Sequence, residues 1–151
     1  LDSSIFPIDS NKLQEFVDSC DKNNDVIFLK IIENNSNNYI GNVKLGPINW
    51  VHRRAEMGRF IGDKKVHGKG YGTEVTKLIL YYAFRILNLN KITCGAFSDN
   101  ISSIKSNQKC GFEIEGKLKN HNYLDGKYRD ILRFGILRDK YFKLSKKNEY
   151  I

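Results

Sequence analysis

The stretch that most constrains this chain runs from Gly62 through His67-Gly68-Lys69-Gly70-Tyr71-Gly72-Thr73 into a long helix-periodic segment. From Thr73 onward Val75, Leu78, Ile79, Tyr82, Ala83, Ile86 and Leu87 recur every three or four positions, which predicts an amphipathic helix. The run before Gly62 reads as a strand. Three glycines between strand and helix let backbone N–H groups turn toward an anion without side-chain obstruction, and the positive end of the helix dipole adds to the attraction. Lys69 places a mobile cation beside them. The spacing is neither the GxGxxG of dinucleotide folds nor the GK[ST] ending of a nucleoside-triphosphate loop, so the glycines alone leave an ordinary loop as an equal reading.

Around this centre the pattern is mixed. Ser10 caps a short helix whose apolar positions Leu13, Phe16 and Val17 recur at helical spacing, and Asn23-Asn24 ends it. Val26 to Ile32 reads as a strand, Asn34 to Asn38 as a turn, and Tyr39 to Leu45 as the antiparallel partner. A loop with Gly46-Pro47 and His52-Arg53-Arg54 leads to a strand from Ala55 to Ile61, closed by Gly62-Asp63. Beyond the long helix come a strand from Lys91 to Phe97, a short helix from Ile101 to Lys109 stopped by Gly111, and a strand from Phe112 to Lys119. Asp125-Gly126 turns the chain into a last strand, Tyr128 to Leu137, followed by a basic tail with Lys143, Lys146 and Lys147. The expected fold is mixed α/β, one sheet with helices packed on it, in a single domain over residues 1–151.

Composition sets the limits of function. No apolar run is long enough to span a bilayer and no charged-then-apolar leader opens the chain, which predicts a cytoplasmic protein without a membrane partner. Cys20, Cys94 and Cys110 show no metal or disulfide spacing and read as reduced, mostly buried thiols. The net charge of +8 suits either an anionic ligand or a solvated surface. Aromatic residues fall inside strand and helix patterns rather than in an aromatic-basic stacking motif, which argues against nucleic acid.

The segment His67-Gly68-Lys69-Gly70-Tyr71-Gly72 resembles the signature of the GCN5-related N-acetyltransferase (GNAT) superfamily: Arg or Gln, two residues, Gly, one residue, then Gly or Ala. His67 stands where the signature has Arg or Gln. Asn100-Ile101-Ser102-Ser103-Ile104, then Lys109-Cys110-Gly111-Phe112 and Glu115-Gly116, is similar to a second family segment, and Asp125 to Asp130 to the hairpin before its last strand. The resemblance runs from about Val26 to Phe142. It is nearest the branch of ribosomal-protein N-terminal, spermidine and amino-sugar acetyltransferases. It implies a GNAT fold, with a central, mostly antiparallel twisted sheet, a splayed pair of strands and flanking helices. The strand and helix with which the family opens are expected to be missing ahead of Ser10.

The resemblance also implies a chemistry: acetyl-CoA as co-substrate, no metal, and direct attack of a primary amine on the thioester. The cofactor pyrophosphate would lie on His67, Gly68, Lys69, Gly70, Tyr71, Gly72 and Thr73. The strand from Glu56 to Ile61 would bulge and splay from the Lys91 to Phe97 strand, with backbone groups of Phe60 and Ile61 holding the pantetheine arm. Asn100 and Ser103 would bond that arm, or cap a helix, or both. Glu56, on the face of Gly58 and Phe60, is the candidate general base, against an ordinary surface glutamate paired with Arg53, Arg54 or Arg59; His52 and His121 are alternatives. Many family members carry a tyrosine four residues before the Gly-Phe pair to protonate the departing thiolate, and this chain has Asn107 there. Tyr123, Tyr128 or a water would then serve, or the thiolate leaves unassisted. Trp50 either floors an acceptor pocket or belongs to the core. Ile40 to Ile48 is similar to acetyltransferases of surface-polysaccharide synthesis, which points to an amino sugar, free or nucleotide-linked, as acceptor. A protein N-terminus and a non-catalytic acyl-CoA-binding role are the alternatives. Family habit allows a homodimer.

Overall fold

The computed structural model describes residues 10–22, 24–62 and 64–146. Expectations placed on residues 1–9, Asn23, Asp63 and Lys147 lie outside them, as do those on the side chains of Ser10 and Leu13. The chain forms α1 (Ser10–Lys22), β1 (Ile27–Glu33), β2 (Asn38–Leu45), β3 (Arg54–Ile61), α2 (Tyr71–Tyr81), β4 (Lys91–Phe97), α3 (Ile101–Lys109), β5 (Glu113–Leu124), β6 (Lys127–Leu137) and α4 (Arg138–Lys146). The strands make one six-stranded sheet in the order β1-β2-β3-β4-β6-β5. Every neighbouring pair is antiparallel except β3 and β4, which are parallel and joined through α2. A parallel pair needs a crossover, and the helix supplies it.

The helix-period signal is right in kind and rotated in detail. Val75, Ile79 and Ala83 of the expected stripe are buried, together with Thr76, Leu80 and Phe84, whereas Leu78, Tyr82 and Ile86 are exposed. The helix starts at Tyr71 rather than Thr73, and its last turn, Tyr82–Ile86, widens into a π turn. Asp139 at the start of α4 and lysines in its last turn suit the helix dipole, and Tyr141 buries itself against Phe84 with ring centroids 5.1 Å apart. The charge of that segment makes it read as a tail in the sequence. β5 also runs five residues beyond Lys119, with register shifts between Ile114 and Gly116 and between Leu118 and Asn122.

The core lies between the sheet and α2, with Leu45, Met57, Leu80, Phe84, Ile92 and Phe134 among its buried side chains. Phe16 of α1 meets Phe28 of β1 edge-on, ring centroids 5.7 Å apart. Cys20, Cys94 and Cys110 are all buried thiols. No helix among the described residues is long and apolar enough to cross a membrane.

Candidate active site

β3 and β4 share only three rungs, Arg54 with Lys91, Ala55 with Ile92 and Glu56 with Thr93. Beyond them β3 stays paired to β2 through Ile61, and β4 stays paired to β6 through Phe97. The two strands therefore diverge and leave a slot in the sheet. The expected splay is present. The expected bulge is not: the β2–β3 register from Leu45 with Met57 to Gly41 with Ile61 is unbroken.

Which backbone groups face the slot follows from antiparallel alternation. Gly46 donates to the Glu56 carbonyl at 2.7 Å, and Gly62 donates to the Ile40 carbonyl at 2.9 Å. Hydrogen-bonded rungs recur every second residue, so Glu56, Gly58, Phe60 and Gly62 turn their main-chain groups toward β2. Met57, Arg59 and Ile61 turn theirs the other way, Met57 into the last rung with β4 and Arg59 and Ile61 toward the slot. Phe60, expected to bond the pantetheine arm, has its main chain in the ladder with Asn42; Arg59, which the sequence reading passed over, has the open edge together with Ile61. The alternation was legible in the sequence; which parity faces β2 was not.

The glycine turn closes the wide end of the slot. His67 Nε2–H donates to the Ile61 carbonyl at 2.9 Å, tying the turn to the end of β3. Gly68 and Gly70 have φ of 80° and 91°, a left-handed backbone that glycine adopts without a steric penalty. A Cβ at either would meet nothing within 4 Å, so these two glycines answer to backbone conformation and open access rather than to packing. Gly70 is the N-cap of α2 and offers no side-chain cap. The Lys69 amide bonds the Val66 carbonyl at 3.4 Å, and the Thr73 and Glu74 amides bond the Gly70 carbonyl. Among the described residues the amides of Gly68, Gly70, Tyr71 and Gly72 make no hydrogen bond. Four donors at a helix mouth fit a diphosphate.

Side chains frame the turn. The Tyr71 hydroxyl donates to Glu33, which also accepts from Ser36; these bonds, Ser36 first, hold the Glu33 carboxyl below its ordinary range, and the same contact with Glu33 raises Tyr71. Thr73 Oγ1 and Ser106 Oγ lie 3.1 Å apart, linking α2 to α3. Asn100 caps α3, its Oδ1 accepting from the Ser103 amide at 3.0 Å. At the other end of α3, Phe112 N bonds the Asn107 carbonyl and Gly111 N that of Gln108, with Gly111 at φ 88°, a Schellman closure that explains the Gly-Phe pair.

On the opposite sheet face Glu56 shares its side with Gly58 and Phe60, as strand alternation requires. Its partner is Arg133 of β6, Nη1 to Oε1 at 2.8 Å, rather than Arg53, Arg54 or Arg59. Arg133 reaches it across Gly95, where a Cβ would stand 3.5 Å from Nη1. By register Thr93, Gly95 and Phe97 lie on this face, as do Lys44 and Lys30 toward the β1 edge. His52 sits in the exposed turn before β3 and His121 on edge strand β5. Tyr123 and Tyr128 meet edge-on at the β5–β6 hairpin, ring centroids 5.1 Å apart. Trp50 is half-exposed, its Nε1 donating to the Asn24 carbonyl at 3.1 Å, so it is no core residue.

Comparison with known proteins places this geometry. Residues 5–113 match the family model described as an acetyltransferase (GNAT) domain. The chain is 36% identical over 115 residues to the spermidine N(1)-acetyltransferase of Vibrio cholerae serotype O1, covering 76% of this chain and 66% of that protein. It is 38% identical over 101 residues to the spermidine N(1)-acetyltransferase of Escherichia coli K12, covering 67% and 54%. The chain thus spans between about half and two thirds of these curated relatives. A crystal structure of the Vibrio cholerae spermidine N-acetyltransferase in complex with CoA and spermine superposes with a TM-score of 0.83 at 32% identity, over 91% of this chain and 80% of that one.

Proposed function

This chain belongs to the GNAT acetyltransferase family, and from that premise we propose that it transfers an acetyl group from acetyl-CoA to the primary amine of a small molecule. The observation that carries the reading is the slot between β3 and β4, open at the end where four unengaged amides gather. The amides of Gly68, Gly70, Tyr71 and Gly72 hold the pyrophosphate, with Lys69 adding charge, while His67 and Thr73 shape the turn from either side. The open edge at Arg59 and Ile61 holds the arm, and Ser103 and Asn100 flank it from the start of α3. Acetyl-CoA supplies an activated acyl carbon; the protein supplies position and a proton acceptor. Glu56, steadied by Arg133 on the acceptor face, takes the amine proton through a water.

The acceptor is read as an amino sugar, free or nucleotide-linked. Lys30, Lys44 and Arg133 share the face of Glu56, and the chain carries +8 overall, a field that concentrates anions and repels polycations. Spermidine is the second reading, favoured by the names of the two curated relatives. A thermal-shift titration with acetyl-CoA, then thiol release with amino sugars, nucleotide-linked amino sugars, spermidine and N-terminal peptides, tests both. The expected result is stabilisation by acetyl-CoA and turnover of the sugar amine. Stabilisation without turnover of any amine would make the protein an acyl-CoA-binding module instead. Glu56→Gln is expected to lower turnover by about a hundredfold while sparing acetyl-CoA affinity; equal loss of both would remove Glu56 from the chemistry.

A further inference from the structure

Arg59 lies three residues past the last β3–β4 rung, on the helix side of the sheet. Its Nη1 donates to Thr76 Oγ1 and to Asn107 Oδ1, both at 2.8 Å. Among the described residues Nε and Nη2 have no hydrogen-bond partner, and no carboxylate pairs with the guanidinium. The ionisable groups whose fields reach it are the thiols of Cys94 on β4 and Cys110 after α3. Burial pushes the Cys94 thiol up to about 12 and raises Cys110 as well, so both stay neutral and neither offsets the charge. Burial in turn pulls Arg59 below its ordinary value. A half-buried cation whose neighbours are an amide, a hydroxyl and two neutral thiols is an unfavourable arrangement until an anion arrives.

Position identifies the anion. Thr76 Oγ1 donates back to the Gly72 carbonyl, one helical turn in from the open amides, and a Cβ on Gly72 would stand 3.4 Å from Arg59 Nε. The guanidinium therefore sits deeper along the slot than the phosphate cradle, between β3, β4, α2 and α3. Beyond its phosphates coenzyme A has one further centre that becomes anionic, the sulphur, and only when the C–S bond breaks. The groups around the guanidinium are poor acids: Asn107 is an amide, burial weakens the Cys94 and Cys110 thiols as acids, and among the described residues no phenol, imidazole or carboxyl hydrogen-bonds Arg59.

We propose that Arg59, held by Asn107 and Thr76, stabilises the departing coenzyme A sulphur as a thiolate, in place of a side-chain acid that would protonate it. This rests on the acetyltransferase reading above. The amine lone pair forms the N–C bond and its proton passes to Glu56 through water. The tetrahedral oxyanion collapses, the C–S electron pair goes to sulphur, and the thiolate leaves paired with the guanidinium, to be protonated later by solvent.

The test is the ultraviolet thiolate absorbance of bound coenzyme A as a function of pH, with affinities for coenzyme A and for its desulfo analogue measured alongside. In the wild-type protein the bound thiol is expected to titrate about one pH unit or more below the ~8.5 of a free thiol. Arg59→Gln is expected to return it to that value, to weaken coenzyme A at about pH 9 and leave the desulfo analogue unchanged, and to lower turnover about a hundredfold. Arg59→Lys keeps the cation and is expected to retain part of each effect, which separates a lost charge from a lost fold. A thiol titration unmoved by Arg59→Gln, or an equal loss of affinity for coenzyme A and the desulfo analogue, would overturn the proposal while leaving the acetyltransferase reading intact. Failure of the wild-type protein to bind coenzyme A would overturn both.

Discussion

At the scale of single residues, Gly70 is where backbone conformation and ligand access coincide. Its φ of 91° with open space around it means that Gly70→Ala meets no clash and still forces an alanine into the left-handed region, at about 1–2 kcal/mol. The expected outcome is a protein that folds with a lower melting temperature and a smaller acetyl-CoA thermal shift, because relief of the strain rotates the Tyr71 and Gly72 amides. Cys94 gives a second prediction. Its folded pKa lies above that of the unfolded thiol, so its contribution to stability is complete below about pH 8.5 and is lost as pH rises toward about 12. Chemical denaturation at stepped pH should show that decline, and alkylation of Cys94 at neutral pH should require unfolding. Glycine positions are easy to recognise in a sequence. Arg59 was not: its neighbours Thr76 and Asn107 are 17 and 48 residues away, and nothing local marks an arginine that will be half-buried.

At the scale of elements, the order helix, three strands, helix, strand, helix, two strands was legible because each segment carries its own period and punctuation. Gly111 stops α3 through a Schellman closure, and Asp125-Gly126 makes the β5–β6 turn. α4 was missed because its lysines read as solvated tail while the residues that bury it, Tyr141 and its partner Phe84, lie far apart in sequence. The α2 stripe was misjudged because Leu78, Tyr82 and Ile86 are apolar yet exposed, so periodicity found the helix without fixing its rotation. The Asn100 cap offers a prediction here. Asn100→Ala removes the bond to the Ser103 amide and should cost about 1 kcal/mol of stability. If Asn100 only caps, Asn100→Asp keeps both stability and acetyl-CoA affinity; if its amide also holds the cofactor arm, Asn100→Asp keeps stability and loses affinity.

At the scale of the whole molecule, the sheet consists of two antiparallel halves, β1-β2-β3 and β4-β6-β5, and the sequence announced both through their hairpins. Where they meet is set by pairing between strands separated by an entire helix, which no local pattern encodes. The candidate site is built from that junction: Glu56, the open edge and the half-buried Arg59 all belong to β3. Hydrogen exchange provides the measurement. The amides of Arg59 and Ile61 face the slot and should exchange fast in the free protein and become protected when acetyl-CoA is added, while the amides of Gly58 and Phe60, bonded to β2, should change little.

Three parallel rungs are a slender hinge for two sheet halves, and α2 crosses from one to the other. A cofactor wedged into the cleft would act as a spline, fixing the angle between the halves and so the distance from Glu56 on one to Arg133 on the other. Loading the donor would thereby also set the geometry that receives the amine, giving the two substrates an order of arrival.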